Sequence, residues 1–562
     1  AARVVRVIER AHETLIGRYE VADPFGVVIP EDPRIPYDIF TQRSAAPDVP
    51  HGALVRVRIE TYPSRRTAAT GVVEEVLGEA GEPRIGVESI IARHRLETRF
   101  SEACLMEAEG LRLDAGAALA RGYADLRTRC VFTVDPADAR DFDDALSLER
   151  VEGAPEPDDP ASSCALEVPG WEGAGAPVWR LGVHIADVSA YVPWGSAIDL
   201  DARNRATSAY LVDRVIPMLP ERLSNDLCSL RPNEDRLSMT ADLYLDAQGR
   251  LARCSIYPAV IRSRARLSYD QVQAAFEGAS ATAAAGADDA GAQTRWGIEA
   301  AVLARLERLR EIGRRRAELR RQAGGIDFPS TEAKVRLDAD GVPVGVDLRR
   351  KTDATSLVEE AMILANEAVA RCLVAKGSPG LFRVHERPAA DGLAGLVPVL
   401  EEFGWFSRID TARFVQGDPH AVQAVLEASR GRSEGELVGS LVLRAMKRAD
   451  YRPRCEGHYG LASEAYAHFT SPIRRYPDLT VHRMLGRLID GEPSAAQAAK
   501  MVSMKRPCAV CVSMFSFRLT KATSISCGLA TRESRSRVLR AKRLMLSTMS
   551  VSPSRSVSAA NF

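Results

Sequence analysis

The chain has 562 residues, with 75 Lys+Arg against 75 Asp+Glu and a formal net charge of zero, so no global field of either sign defines its partners. It is 46% hydrophobic and 6% aromatic, and its ten cysteines follow no regular spacing, which excludes disulfide-scaffold, collagen-like and wholly disordered chains. No window approaches ~18 uninterrupted apolar residues, which argues against a membrane or secreted protein, and the length implies about three to five domains. Scattered thiols fit a reducing, cytoplasmic setting.

Residues 1–88 read as short β segments, RVVRVIE, LIGRYEV, FGVVIP, ALVRVRIETY and GVVEEVLG, divided by turn formers such as DPRIP and PSRRT. Five such strands predict a small OB-type barrel. A basic and aromatic face with Tyr19, Phe25, Arg65 and Arg66 would suit single-stranded nucleic acid; a barrel packed only for stability is the other reading. Residues 89–125 are expected to be a linker. From about 89 to 497 the pattern is mixed α and β, with strand-like runs such as VFTVDP and WRLGVHIADVSAYV alternating with helical stretches at 296–322 and 354–376. Segments 154–177 and 277–293 are Ala/Gly/Pro/Asp-rich and read as loops or insertions.

Residues 498–562 differ in kind. Twelve Lys/Arg and one acid, Glu533, lie between 499 and 562, which leaves −11 on the rest of the chain. Any nucleic acid held by the body must therefore use a local basic channel. The tail shows no sustained periodicity and is expected to be disordered. It reads either as a basic Ser/Arg segment that grips phosphates or as translation in a shifted frame. Cys508 and Cys511 lack a second pair at metal-ligand spacing, so coincidence is the preferred reading.

The segment TVDPADARDFDDA packs Asp135, Asp138, Asp141, Asp143 and Asp144 between two apolar, strand-like runs. So much negative charge beside buried strands calls for a cation. The spacing does not fit an EF-hand, and dense oxygen ligands suit Mg²⁺ or Mn²⁺ in phosphodiester chemistry; an exposed acidic loop is the bland alternative. Downstream, HFTSPIRRYPDLTVH sets Arg474 and Arg475 just after a proline. That fork suits a phosphate, although arginines capping a helix would look the same.

Six strings occur in order: TVDPADARDFDDA, LGVHIADVSAYV, RATSAYLVDRVIPMLPERLSNDLCSLRPNEDRLSM, LVEEAMILANEAVA, GLFRVHERP and YAHFTSPIRRYPDLTVHRML. Together they resemble the RNase II/RNase R superfamily of exoribonucleases, and most closely its bacterial ribonuclease R branch; residues 1–88 resemble that family's second cold-shock domain. The resemblance implies a multidomain β and α+β protein, with an RNB catalytic domain over 126–497. It implies processive 3′→5′ hydrolysis of single-stranded RNA with a free 3′ end to nucleoside 5′-monophosphates, by Mg²⁺-activated water and with no small-molecule cofactor. Asp135, Asp141, Asp143 and Asp144 match the four metal-holding aspartates, and Asp138 matches none. Arg474 matches the arginine on the scissile phosphate and Arg475 is its basic neighbour, while Tyr210 and Phe382 match the aromatic pair that clamps the terminal bases. The family's first cold-shock domain, closing S1 domain and the Glu-bearing end of the catalytic domain are not matched. This predicts either an active nuclease or an RNA-binding remnant with little turnover.

Overall fold

The fold is seen in a computed structural model, which describes residues 13–491 apart from 33, 46–47, 65, 80–82, 95, 152–164, 280–295, 329–330 and 340. Arg65, most of the two expected insertions, and the whole of 498–562 with Cys508 and Cys511 lie outside the described residues.

Strands β1 (Thr14–Ala22), β2 (Phe25–Pro30), β3 (Ile39–Gln42), β4 (Ala53–Thr61) and β5 (Ala69–Glu79) close a barrel in the order β1-β2-β3-β5-β4. Alternation along the strands supplies its core: Leu15, Tyr19, Val28, Ile39, Val55, Val57 and Ile59 all point inward. Tyr19, expected on a nucleic-acid face, is instead fully buried. Its ring lies across Gly26, where a Cβ would sit 2.1 Å from the Tyr19 hydroxyl oxygen, so only glycine fits opposite it. Phe25 is 49% exposed and Phe40, on the neighbouring strand, 39%. Arg66 is exposed in the turn before β5.

The expected linker carries helices: α1 (Pro83–Arg93), α2 (Glu102–Gly110) and α3 (Ala115–Ala120). Ser101 and Asp114 cap the latter two by accepting from Cys104 and Ala117 N–H.

The large domain is built on β6 (Ala124–Asp125), β7 (Val131–Asp135), β8 (Asp144–Arg150), β9 (Leu166–Pro169) and β10 (Trp179–Ala186). After α4 (Ala197–Arg205) and the short hairpin β11 (Ala209–Tyr210) and β12 (Val215–Ile216) come β13 (Asp235–Leu245) and β14 (Leu251–Ser268). The sheet runs β13-β10-β8-β7-β14-β6, with β9 beside β14, and the β13–β14 pairing closes the path into a ring. Consecutive residues such as Val131 and Phe132 fall in different apolar clusters, because side chains alternate between two buried faces.

Helices α5 (Tyr269–Ala279), α6 (Ala300–Gln322) and, beyond the hairpin β15 (Thr331–Leu337) and β16 (Pro343–Arg350), α7 (Asp353–Ala375) pack on one face. The basic end of α6 is not wholly solvated: Arg320 is buried against Glu360 at 2.8 Å. Strand β17 (Phe382–Val384) leads into α8 (Ala390–Ala394), α9 (Val397–Glu401), α10 (Thr411–Val415), α11 (Pro419–Ser429) and α12 (Gly435–Ala445), which share their own core around Phe406, Phe414 and Val438. Strand β18 (Asp450–Arg452) pairs with β17, and α13 (Tyr476–Ile489) closes the described chain. Among the described residues no helix is long and apolar enough to cross a membrane.

Candidate active site

Asp135 ends β7 and Asp144 begins β8, so an eight-residue loop between neighbouring strands of one sheet brings the sequence cluster to a single sheet edge. Main-chain ties shape that loop. Phe142 N–H donates to Ser229 Oγ (3.1 Å), Ser229 Oγ to Arg140 O (2.8 Å), and Ala186 N–H to Asp143 O (2.9 Å). Arg266 donates to Pro136 O and Ala137 O from the adjacent β14. Asp138 points elsewhere and pairs with Lys334 of β15 at 2.6 Å.

Asp143 is buried. Its Oδ1 accepts the Ile473 N–H at 2.9 Å, while its Oδ2 has no hydrogen-bond partner and lies 3.4 Å from Arg474 Nε. Asp135 Oδ2 is likewise buried without a partner. Burial and the Asp144 charge push the Asp135 carboxyl up to about 8. Burial lifts Asp144 to about 6 against the pull of Arg474 and Arg475. Burial also raises Asp143 well above the carboxylate range; Arg474 opposes the rise, and the Asp141 and Asp144 charges add to it. A buried, mutually repelling set with orphaned oxygens is the environment a divalent cation relieves. As the side chains stand, no three acidic, His or Cys groups among the described residues converge closely enough to hold an ion.

The two arginines diverge. Arg474 is 44% exposed, held by Asp143 and by its Nη2 donation to Ser471 Oγ at 2.9 Å. Arg475 is turned inward, donating to the fully buried Asp478 at 2.6 Å; burial opposes its charge, but Asp478 more than offsets this and raises its pKa. Tyr210 is 42% exposed, and its hydroxyl donates to Asp141 Oδ2 at 3.3 Å, which joins it to the carboxylate loop. Phe382 is only 3% exposed, and its strand bridges Ala467 just ahead of the Arg474 loop. No residue-type signal points to the Ile473 amide or to Tyr269, whose hydroxyl is held protonated by burial and by the Asp144 and Asp135 charges.

A family model described as the RNB domain matches residues 123–491. The chain belongs to the RNB family. A cold shock domain model matches residues 28–101 of this RNB chain. Ribonuclease R of Escherichia coli (strain K12) is 35% identical over 491 residues, which are 87% of this chain and 56% of the relative. Ribonuclease R of Thermotoga maritima is 37% identical over 486 residues, 86% and 63% respectively. The chain thus spans between half and two thirds of the length of these relatives. In fold it is similar to Mycoplasma genitalium RNase R in complex with ribose methylated single-stranded RNA, with TM-score 0.75 and 24% identity over 97% of this chain and 78% of that one. It is also similar to yeast Ssd1, a pseudonuclease, with TM-score 0.63 and 18% identity over 90% of this chain and 59% of that one.

Proposed function

We propose that this chain is a metal-dependent exoribonuclease that removes nucleoside 5′-monophosphates from the 3′ end of single-stranded RNA. The observation that carries the reading is the buried carboxylate pocket, with its two orphaned oxygens, faced by the partly exposed guanidinium of Arg474. Asp135, Asp141, Asp143 and Asp144 would hold Mg²⁺, or Mn²⁺, which when bound supplies activation of water and neutralisation of the leaving 3′-oxygen.

The chain's own residues do the rest. Arg474, oriented by Asp143 and Ser471, directs its remaining N–H groups at the phosphoryl oxygens and stabilises the charge that develops there. Tyr210 offers a ring face for the terminal bases while its hydroxyl steadies Asp141, and stacking holds RNA without reading its sequence. Phe382, which the resemblance pairs with Tyr210, lies in the apolar core instead of offering a ring face, and supports the strand that bridges Ala467 ahead of the Arg474 loop. Arg475 supports the loop through Asp478 and acts on RNA through its charge rather than by direct contact. Phe25 and Phe40 give the barrel a stacking surface for upstream nucleotides.

Incubating the protein with 5′-labelled single-stranded RNA in Mg²⁺ or EDTA tests the reading. A Mg²⁺-dependent collapse to a short 5′ product, absent in Asp143→Asn, is expected. RNA that is bound yet intact in Mg²⁺ would select the second reading, an RNA-binding chain without turnover.

A further inference from the structure

Arg205, the last residue of α4, is almost wholly buried, and the catalytic reading above gives it no task. Its guanidinium donates to three main-chain carbonyls: Glu97 O at 2.6 Å, Arg99 O at 2.7 Å and Pro217 O at 3.2 Å. Its plane lies 3.8 Å from the centre of the Phe100 ring. Two of the carbonyls belong to the segment that follows α1 and the third to the residue after β12. Arg205 therefore pins both ends of the strap formed by residues 206–216.

That strap touches the candidate site repeatedly. Thr207 Oγ1 and Ser208 N–H donate to Arg474 O at 2.9 and 3.0 Å, Tyr476 N–H donates to Ala206 O at 2.9 Å, and Tyr210 reaches Asp141. The strap starts at Ala206 with φ +62°, a conformation that non-glycine residues hold only when their surroundings enforce it. Its far side lies on α1: Ala209, Leu211 and Ile216 pack with Val87, Ile91 and Leu96, and Arg214 pairs with Glu88 at 3.0 Å. Helix α1 in turn lies against β1 and β5 of the barrel.

We propose that Arg205 is a positioning residue: by fixing both ends of the strap it holds the Tyr210 ring and the Arg474 main chain in place, and through α1 it couples the barrel to the catalytic centre. The inference rests on the RNA-binding half of the proposed function. A lysine keeps the charge but is a single point donor, unable to serve three carbonyls fanned around a planar fork.

The test is the Kd for a fluorescent single-stranded oligoribonucleotide, measured in EDTA so that turnover plays no part, with Tm recorded for each variant. Loss of one stacked base is about tenfold in Kd, or about 1.4 kcal/mol. Tyr210→Ala and Arg205→Lys are each expected to weaken binding about tenfold, and the double variant no further, because both remove the same ordered ring. Ile216→Ala loosens the strap from its other anchor and is expected to show the same non-additivity, which keeps the test open if Arg205→Lys fails to fold. An additive, hundredfold loss in the double variant, or wild-type affinity in both strap variants, overturns the proposal. A wild-type chain that binds no RNA overturns the reading of the site itself, a result distinct from those two.

Discussion

Relative to an Asp135→Asn variant, the cation-free protein should lose stability as pH rises from 5 to 8, and a divalent cation should reverse that loss; the comparison cancels the opposite contribution of the buried histidines, which are held neutral and favour the fold as pH rises. In the folded chain Asp135 titrates at about 8 and Asp144 at about 6, against 3.8 for an ordinary Asp. Because the folded values are raised, the native state holds protons that the unfolded chain has released. The contribution of these carboxyls is therefore most favourable below the window and falls as pH climbs towards the folded values. The two shifts are not summed; the larger alone, at 1.36 kcal/mol per pKa unit over the three pH units from 5 to 8, is on the order of 4 kcal/mol. With an unfolding entropy of roughly 0.8 kcal/mol/K for a domain of this size, that is about 5 °C in Tm. Thermal melts of wild type and Asp135→Asn at pH 5 and pH 8, in EDTA and in millimolar Mg²⁺, read the difference. The Mg²⁺ increment should be several-fold larger at pH 8, and Asp135→Asn in EDTA should melt higher than wild type at pH 8 and respond little to Mg²⁺. Equal Mg²⁺ increments at both pH values, or an Asp135→Asn variant that melts lower at pH 8, would refute the reasoning.

Other outcomes follow from the same geometry. Arg474→Lys should lower kcat on RNA by about 10²–10³ with little change in Tm, since it removes directed N–H donors from a half-exposed site. Arg475→Met should do the reverse in emphasis, lowering stability by about 3–5 kcal/mol in denaturant titrations because Asp478 is left buried and unpaired. Asp143→Asn should abolish hydrolysis while RNA affinity in EDTA, measured by anisotropy, stays within about threefold of wild type. Phe40→Ala should weaken RNA binding without altering the fold, as seen by near-UV circular dichroism, because the side chain stands on the barrel surface.

Much of this was legible before any coordinates. The apolar runs on either side of Asp135–Asp144 mark two neighbouring strands, and strands that flank an acidic loop leave little choice but one sheet edge. The helical stretches expected at 296–322 and 354–376 follow from periodicity and are observed over 300–322 and 353–375. Tyr19 was misplaced because aromatic residues near arginines look like a binding face, whereas strand alternation and the glycine opposite decide that the ring is core. Arg475 resembles Arg474 in sequence, and only the buried Asp478 one turn on separates their roles. Arg205 opens the third of the quoted strings, yet its role is not legible there because its partners are main-chain carbonyls, which leave no residue-type signature.

The Ile473 amide that grips Asp143 comes from a residue 330 positions further along the chain. Order of synthesis therefore matters. A nascent polypeptide that has emerged only as far as the helices around 390–445 possesses every aspartate of the pocket but neither that amide nor the guanidinium beside it. The acidic pocket remains open until the ribosome has delivered nearly the whole described chain. Residues 471–475 act as the last stone of an arch: the carboxylate loop is made early, and the segment that locks it arrives late.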